Sequence, residues 1–199
     1  MRQLRRHLHR SVLLAVAASA AGACDARPTT GPEEGQQLRA VANRGRGVVA
    51  GTTGGGHYLL QGAFDVQFAL SALQKPDGRA LGQFHQRLEA GGLVIDFRGE
   101  VTCVAVDPLT NRAWIGGVVT ENRSTDPAFS TPIHQPGRDV WFRVVDYGEG
   151  GDSPPDRTSF LGFQGAAGII TSAEYCEARI WPEGDARTWP VTSGNIQVR

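Results

Sequence analysis

The chain has 199 residues, with 20 basic and 20 acidic side chains, 40% hydrophobic residues and three cysteines. Residues 1–23 hold four of the arginines and no acid, so the remainder carries sixteen basic against twenty acidic residues, a net of −4. That balance argues against nucleic acid or anionic lipid as a non-specific partner, since both need a basic face.

The N-terminus is the most informative segment. Residues 1–10 carry Arg2, Arg5, Arg6 and Arg10, residues 11–20 are apolar and small, and Ala21-Gly22-Ala23 leads into Cys24. A basic region, a short apolar region and small residues before a cut make residues 1–23 an export signal. The apolar stretch is too short for a membrane-spanning helix, which needs about 20 residues. Cleavage after Ala21-x-Ala23 would give a soluble exported protein. The same residues with Cys24 resemble the lipobox of bacterial lipoproteins, which implies acylation of Cys24 and attachment to a membrane through that lipid. Residues 24–55 read as a tether: DARPTTGPEEGQ is polar and rich in Pro, Gly and acid, and Gly51 to Gly56 reads as a hinge.

From His57 the pattern changes to period two. Phe64, Val66, Phe68 and Leu70 alternate with polar or small residues, which predicts a half-buried strand. Lys75-Pro76-Asp77-Gly78 is a turn. Residues 80–90 form a weaker strand, with Phe84 and Gln86 opposite Leu81, Gln83 and His85. Residues 93–106 give the longest strand, with Ile95, Phe97, Val101 and Cys103 on one face and a bulge at Gly99. Residues 107–111 make a hairpin loop, 113–120 a strand and 121–137 a long polar loop. Residues 139–147 (DVWFRVVDY) are a strand rich in β-branched and aromatic side chains. An acidic turn covers 148–156, a short strand 158–164, and residues 196–198 close the chain as a strand. Residues 166–187 have no clear period. The expected fold is all-β, a single antiparallel meander of about eight strands in residues 56–199. It forms a curved barrel or a β-sandwich, with the strand glycines favouring the barrel. Roughly 145 residues bury a sufficient core without metal.

With Cys24 lipidated, Cys103 and Cys176 remain as an even pair in an oxidising compartment. A bridge between them would close a loop worth on the order of 4 kcal/mol in the chain-entropy model. The alternative is two buried thiols. No CxxC pair suggests redox chemistry.

The stretches GEVTCVAVD (99–107), AWIGGVVT (113–120), WFRVVDYGEG with the following PPD (141–156) and GNIQV (194–198) together resemble an uncharacterised family of exported bacterial β-domains. The likeness covers most of the chain from His57. It implies an exported β-domain in which Cys103 and Cys176 stand at the family's two cysteine positions and bond to each other. Tyr147 stands where that family carries Asn. The resemblance implies no particular activity.

Candidate sites are few. Asp146, Glu149, Asp152 and Asp156 gather carboxylates in a Gly-rich turn stiffened by Pro154-Pro155, which suits calcium, although the spacing is not an EF-hand. The plain alternative is a solvated hairpin. His57, His85 and His134 are not at metal-ligand spacing. No G-x-S-x-G marks a nucleophile. Asp96 and Glu100 lie about 13 Å apart on one strand face, beyond the roughly 5 to 10 Å of a glycosidase pair, and read as solvent-facing charges. Trp114 and Trp141 read as core. Trp181 and Trp189, in the irregular C-terminal part, are the candidate ligand-binding aromatics. The expected protein is a non-catalytic, lipid-anchored or secreted envelope domain that binds a protein or glycan or serves structurally. One alternative is a hydrolase-type enzyme using His57, His134 and the acidic turn at one barrel end. The other is a carrier holding a small apolar ligand in the barrel.

Overall fold

Alternation along the strands builds the molecule. The computed structural model describes residues 47–182 and 186–199. The expected export signal, Cys24 and most of the expected tether lie outside the described residues.

Five long strands follow one another as an antiparallel meander: β1 (Ala50–Leu60), β2 (Phe64–Gln74), β3 (Ala80–Ala90), β4 (Leu93–Asp107) and β5 (Arg112–Asn122). Next come β6 (Asp139–Val145), two-residue β7 (Arg157–Thr158) and β8 (Gly162–Phe163), helix α1 (Ser172–Ala178) and β9 (Trp189–Val198). β6 pairs with β5, β7 with β6, β9 with β7, and β9 returns to β1. One antiparallel sheet therefore closes on itself as a barrel, with β8 added at the start of β6. The all-β expectation and the preference for closure both hold.

Val66, Phe68, Leu70 and Ala72 of β2 point inward, as do Phe84 and Leu88 of β3, Ile115 and Val119 of β5, and Val140, Phe142 and Val144 of β6. These side chains fill the barrel. Each large one that leaves water contributes about 1.5–3 kcal/mol. Tyr58 donates its hydroxyl to Gln86 inside the wall, and Gln86 in turn donates to the Ser159 carbonyl. Residues 123–138 fold over one mouth, where Phe129 and His134 pack on Phe97 and Phe163.

Four details depart from expectation. The first strand begins at Ala50, inside the expected tether, because the glycine run is not a hinge. Gly56 faces Gly194 across β1 and β9, and a Cβ on Gly56 would stand 1.9 Å from the Ser193 carbonyl oxygen. β4 has the bulge expected at Gly99 and a second between Val101 and Cys103. That second bulge adds a residue, so Val101 and Val104 point inward while Thr102 and Cys103 face α1. Asp96 is buried, at 7% exposure, because the loop after β5 returns along β4 and Ser124 and His85 cover it. Finally, the unassigned region holds α1, opened by a capping box between Thr171 and Glu174. Cys103 and Cys176 form a disulfide, with Cα atoms 6.2 Å apart, that pins α1 to β4.

Candidate functional site

β6 is buried on both faces. Its inward residues join the barrel core, and its outward residues Trp141 and Arg143 are covered by the segment that carries α1. That segment is held by the disulfide, by Trp114 donating its indole N–H to the Ile180 carbonyl (2.8 Å), and by the Ser172 amide donating to Asp139 (2.8 Å). Trp114, Trp141, Ile169 and Tyr175 form a second apolar cluster on the outside of the wall.

Beside this cluster lies a cleft of about 270 Å³, lined by Trp141, Arg143, Gly162, Tyr175, Trp181 and Trp189 among others. Tyr175 stacks on Trp141 with centroids 5.8 Å apart and touches Trp181 at 6.5 Å. Arg187 lies over the Trp181 ring at 4.4 Å, and Trp189 stacks against Tyr58 at the edge of the core. The Arg143 guanidinium donates to the Ala186 carbonyl. Burial pushes the Tyr175 hydroxyl well above its ordinary pKa, with the nearby Arg143 charge opposing the shift, so the phenol stays neutral. The Trp141 indole nitrogen is buried and has no hydrogen-bond partner among the described residues.

Trp181 and Trp189 thus line one cleft together. Trp141 is buried as expected, but on the outer side of the wall rather than in the barrel. Arg143 and Tyr175 join them in the lining. A signal for Arg143 was present: period two in DVWFRVV places Trp141 and Arg143 on the face opposite Val140, Phe142 and Val144.

The acidic turn is engaged with the backbone of its neighbours. Asp156, at 7% exposure, accepts the amides of Tyr147 (2.9 Å) and Ile196 (2.8 Å), while its own carbonyl accepts Val191 (2.7 Å). Asp146 accepts the amides of Gly148 and Val198 (2.7 and 2.8 Å), and Glu149 accepts the Asn195 side chain (2.7 Å). Asp152 is exposed. β7 is only two residues long, so most of β9 has no ladder partner on that side, and these groups close the seam instead. Glu149 and Asp156 line one shallow hollow with Asn195. Among the described residues, no three His, Cys, Asp or Glu side chains are placed to share a metal.

The histidines stand apart. His57 pairs with Asp65 at 3.1 Å on the exposed surface. His85 contacts Asp96 at 2.9 Å. His134, at 9% exposure, bonds through Nδ1 to the Thr131 hydroxyl (2.8 Å) and packs edge-on to Phe163, 4.4 Å between centroids. Burial lowers its pKa. His57 and His134 lie toward the barrel end that holds the β1–β2 turn, whereas the acidic turn adjoins the β4–β5 turn at the other end. The participants expected for a hydrolase therefore do not meet. The packed interior likewise differs from the open lumen expected of an apolar carrier.

Comparison of the chain with family models, curated proteins and solved structures finds no match.

Proposed function

We propose that this protein is an exported, lipid-anchored binding module. The filled barrel is its rigid scaffold, and the aromatic cleft on the outer wall is its ligand site. One observation carries this reading: Trp181 and Trp189, from separate segments, line a single cleft with Trp141 and Tyr175. Small-molecule sites are concave, mostly apolar and furnished with a few polar groups, and this cleft fits that description. The signal-like N-terminus and the resemblance to exported bacterial β-domains support export, and a disulfide is at home in an oxidising compartment.

The test uses full-length protein processed by an exporting bacterial host. Small aromatic compounds should quench or shift its tryptophan fluorescence. Trp181→Ala should weaken that binding roughly ten-fold or more, as loss of a stacked aromatic contact implies, and leave the protein folded. A set of ring compounds that leaves the fluorescence unchanged at millimolar concentration would overturn the binding assignment. Mass spectrometry of the membrane fraction tests the anchor: a diacylglyceryl mass on Cys24 is expected, and an unmodified Cys24 terminus rejects it.

A further inference from the structure

We infer that the outer face of β2, β3 and β4 holds a second binding groove, shaped for a neutral saccharide of one or two rings, with a sugar hydroxyl donated to His85. The groove shares no lining residue with the aromatic cleft and does not depend on it.

Strand register builds the groove. Leu70 and Phe84 point into the barrel, so their chain neighbours point out. On that outer face Ala69, His85 and Arg98 stand side by side across β2, β3 and β4, and Ser71, Gln83 and Glu100 form the next row. Opposed side chains on one face of a sheet lie about 4.5–5.5 Å apart at Cβ. Ala69 brings only a methyl among longer neighbours, and a hollow of about 540 Å³ opens over it. That volume lies within the roughly 300–1,000 Å³ of small-molecule sites.

His85 is held in place from behind. Its Nε2 lies 2.9 Å from one Asp96 carboxylate oxygen, and Arg87 approaches the other at 3.8 Å. A carboxylate only accepts, so Nε2 carries the proton and the neutral ring keeps Nδ1 as an acceptor. Nδ1 has no partner among the described residues. Asp96 is buried, yet the loop that covers it binds its backbone: Arg123 donates its amide to the Asp96 carbonyl (2.9 Å), and the Asp96 amide donates to the Ser124 hydroxyl (3.0 Å). The carboxylate is thereby directed to β3, where it orients an imidazole on the wall of the groove.

The lining selects the ligand. Arg98 offers donors, Glu100 offers acceptors, and Ser71 and Gln83 offer both. Each hydroxyl of a sugar also donates and accepts, so a saccharide matches the set. Both signs of charge stand in the lining, so a simple anion or cation meets its own sign as well as the opposite one. Leu70 and Phe84 reach the floor but are only 7% and 3% exposed, too little for an apolar ligand to lie on. An added peptide strand needs an open sheet edge, and β2, β3 and β4 are each paired on both sides.

The experiment titrates the full-length, nitrogen-15-labelled protein with maltose, cellobiose, lactose and diacetylchitobiose, and with inorganic phosphate and toluene as controls. His85→Gln identifies the His85 ring signals by loss. A disaccharide should move the His85 Nδ1 signal and the amides of residues 69–71, 83–85 and 98–100, saturating at millimolar concentration, while phosphate and toluene leave them still. Ala69→Leu should weaken that binding roughly ten-fold or more by filling the hollow, and its position is exposed, so the strand accepts it. The wild-type titration stands alone if a variant fails to fold. No movement of these signals with any disaccharide overturns the groove. Phosphate or toluene moving them as strongly overturns the saccharide class. Sugar-induced shifts confined to the tryptophan indole N–H signals place the sugar in the aromatic cleft and overturn this inference while leaving that cleft a ligand site.

Discussion

Replacing Asp156 with alanine should nearly unfold the barrel. Its carboxylate accepts two backbone amides, Tyr147 and Ile196, at 2.9 and 2.8 Å, in a site 7% exposed. A hydrogen bond to a charged group is worth about 1.5–3 kcal/mol, so the pair amounts to about 3–6 kcal/mol. A domain of this kind holds only about 5–15 kcal/mol in total. Asp156→Asn keeps the shape but turns one acceptor into an NH₂ facing an N–H, so it should lose about half that figure or more. Urea unfolding followed by circular dichroism measures both, and the midpoint should fall without a change in slope. Asp152→Ala is the internal control: the side chain is exposed in the same turn, and its loss should stay within about 0.5 kcal/mol. A carboxylate cluster built for an ion behaves differently. Asp146, Asp152 and Asp156 would then matter alike, and millimolar calcium would raise the wild-type midpoint. Asp156→Ala within about 1 kcal/mol of wild type, or calcium-dependent stability, would refute the seam argument.

Two further predictions concern the rest of the fold. The unfolded state takes up a proton at His134 near the ordinary histidine pKa of about 6.5, whereas burial lowers the folded value, so falling pH favours unfolding. Stability should be complete above about pH 6.5 and decline below it, and His134→Leu should flatten that part of a urea-midpoint profile; a wild-type profile level from pH 7.5 to 5 would contradict this. Replacing Cys103 and Cys176 together with serine should cost about 2–4 kcal/mol. Hydrogen exchange should then quicken in residues 166–181 while β1 to β6 stay protected, and uniform loss of protection would show that the bridge holds the barrel rather than the outer layer.

What the sequence made legible follows from how local each cause is. β2 and β3 were readable because their alternation lies within the strands, and the Gly99 bulge was readable because glycine marks it. The bulge at Val101/Cys103 carries no such mark, so strict alternation places Cys103 on the inner face, whereas it faces α1. β1 reads as a hinge because Gly54-Gly55-Gly56 gives no local pattern. Its reason is distant: the backbone at Ser193–Gly194 approaches too closely for a Cβ. The helix Ser172–Ala178 is too short for a 3.6-residue period to emerge, yet T-S-A-E at 171–174 is a readable capping box. The acidic turn was visible as a cluster, but its role is set by amides of β9 some forty residues later. In the same way, Trp181 and Trp189 were visible as candidates, whereas Arg143 and Tyr175 joined them only through the packing of α1 on the wall.

The outer layer is the strongest structural argument that this protein binds something. A closed barrel with a filled interior needs its strands to be apolar on one face only, and β2 and β3 follow that economy. β6 does not: Trp141 and Arg143 are buried on its outer side beneath a covering segment that the disulfide fastens to β4. That covering is not needed to close the ring, which runs through β6, β7 and β9. It builds a wall of aromatic rings on the outside of the barrel. Stability and recognition are therefore written in different residues. On the reading proposed above, the inner faces and the Asp156 clasp set the melting point, and the outer cleft sets what is held. Trp181→Ala tests the division: it should weaken ligand binding roughly ten-fold or more while lowering stability by about 1–2 kcal/mol, since Trp181 is only partly buried against Tyr175. A variant that lost both together would show the cleft to be an extension of the core.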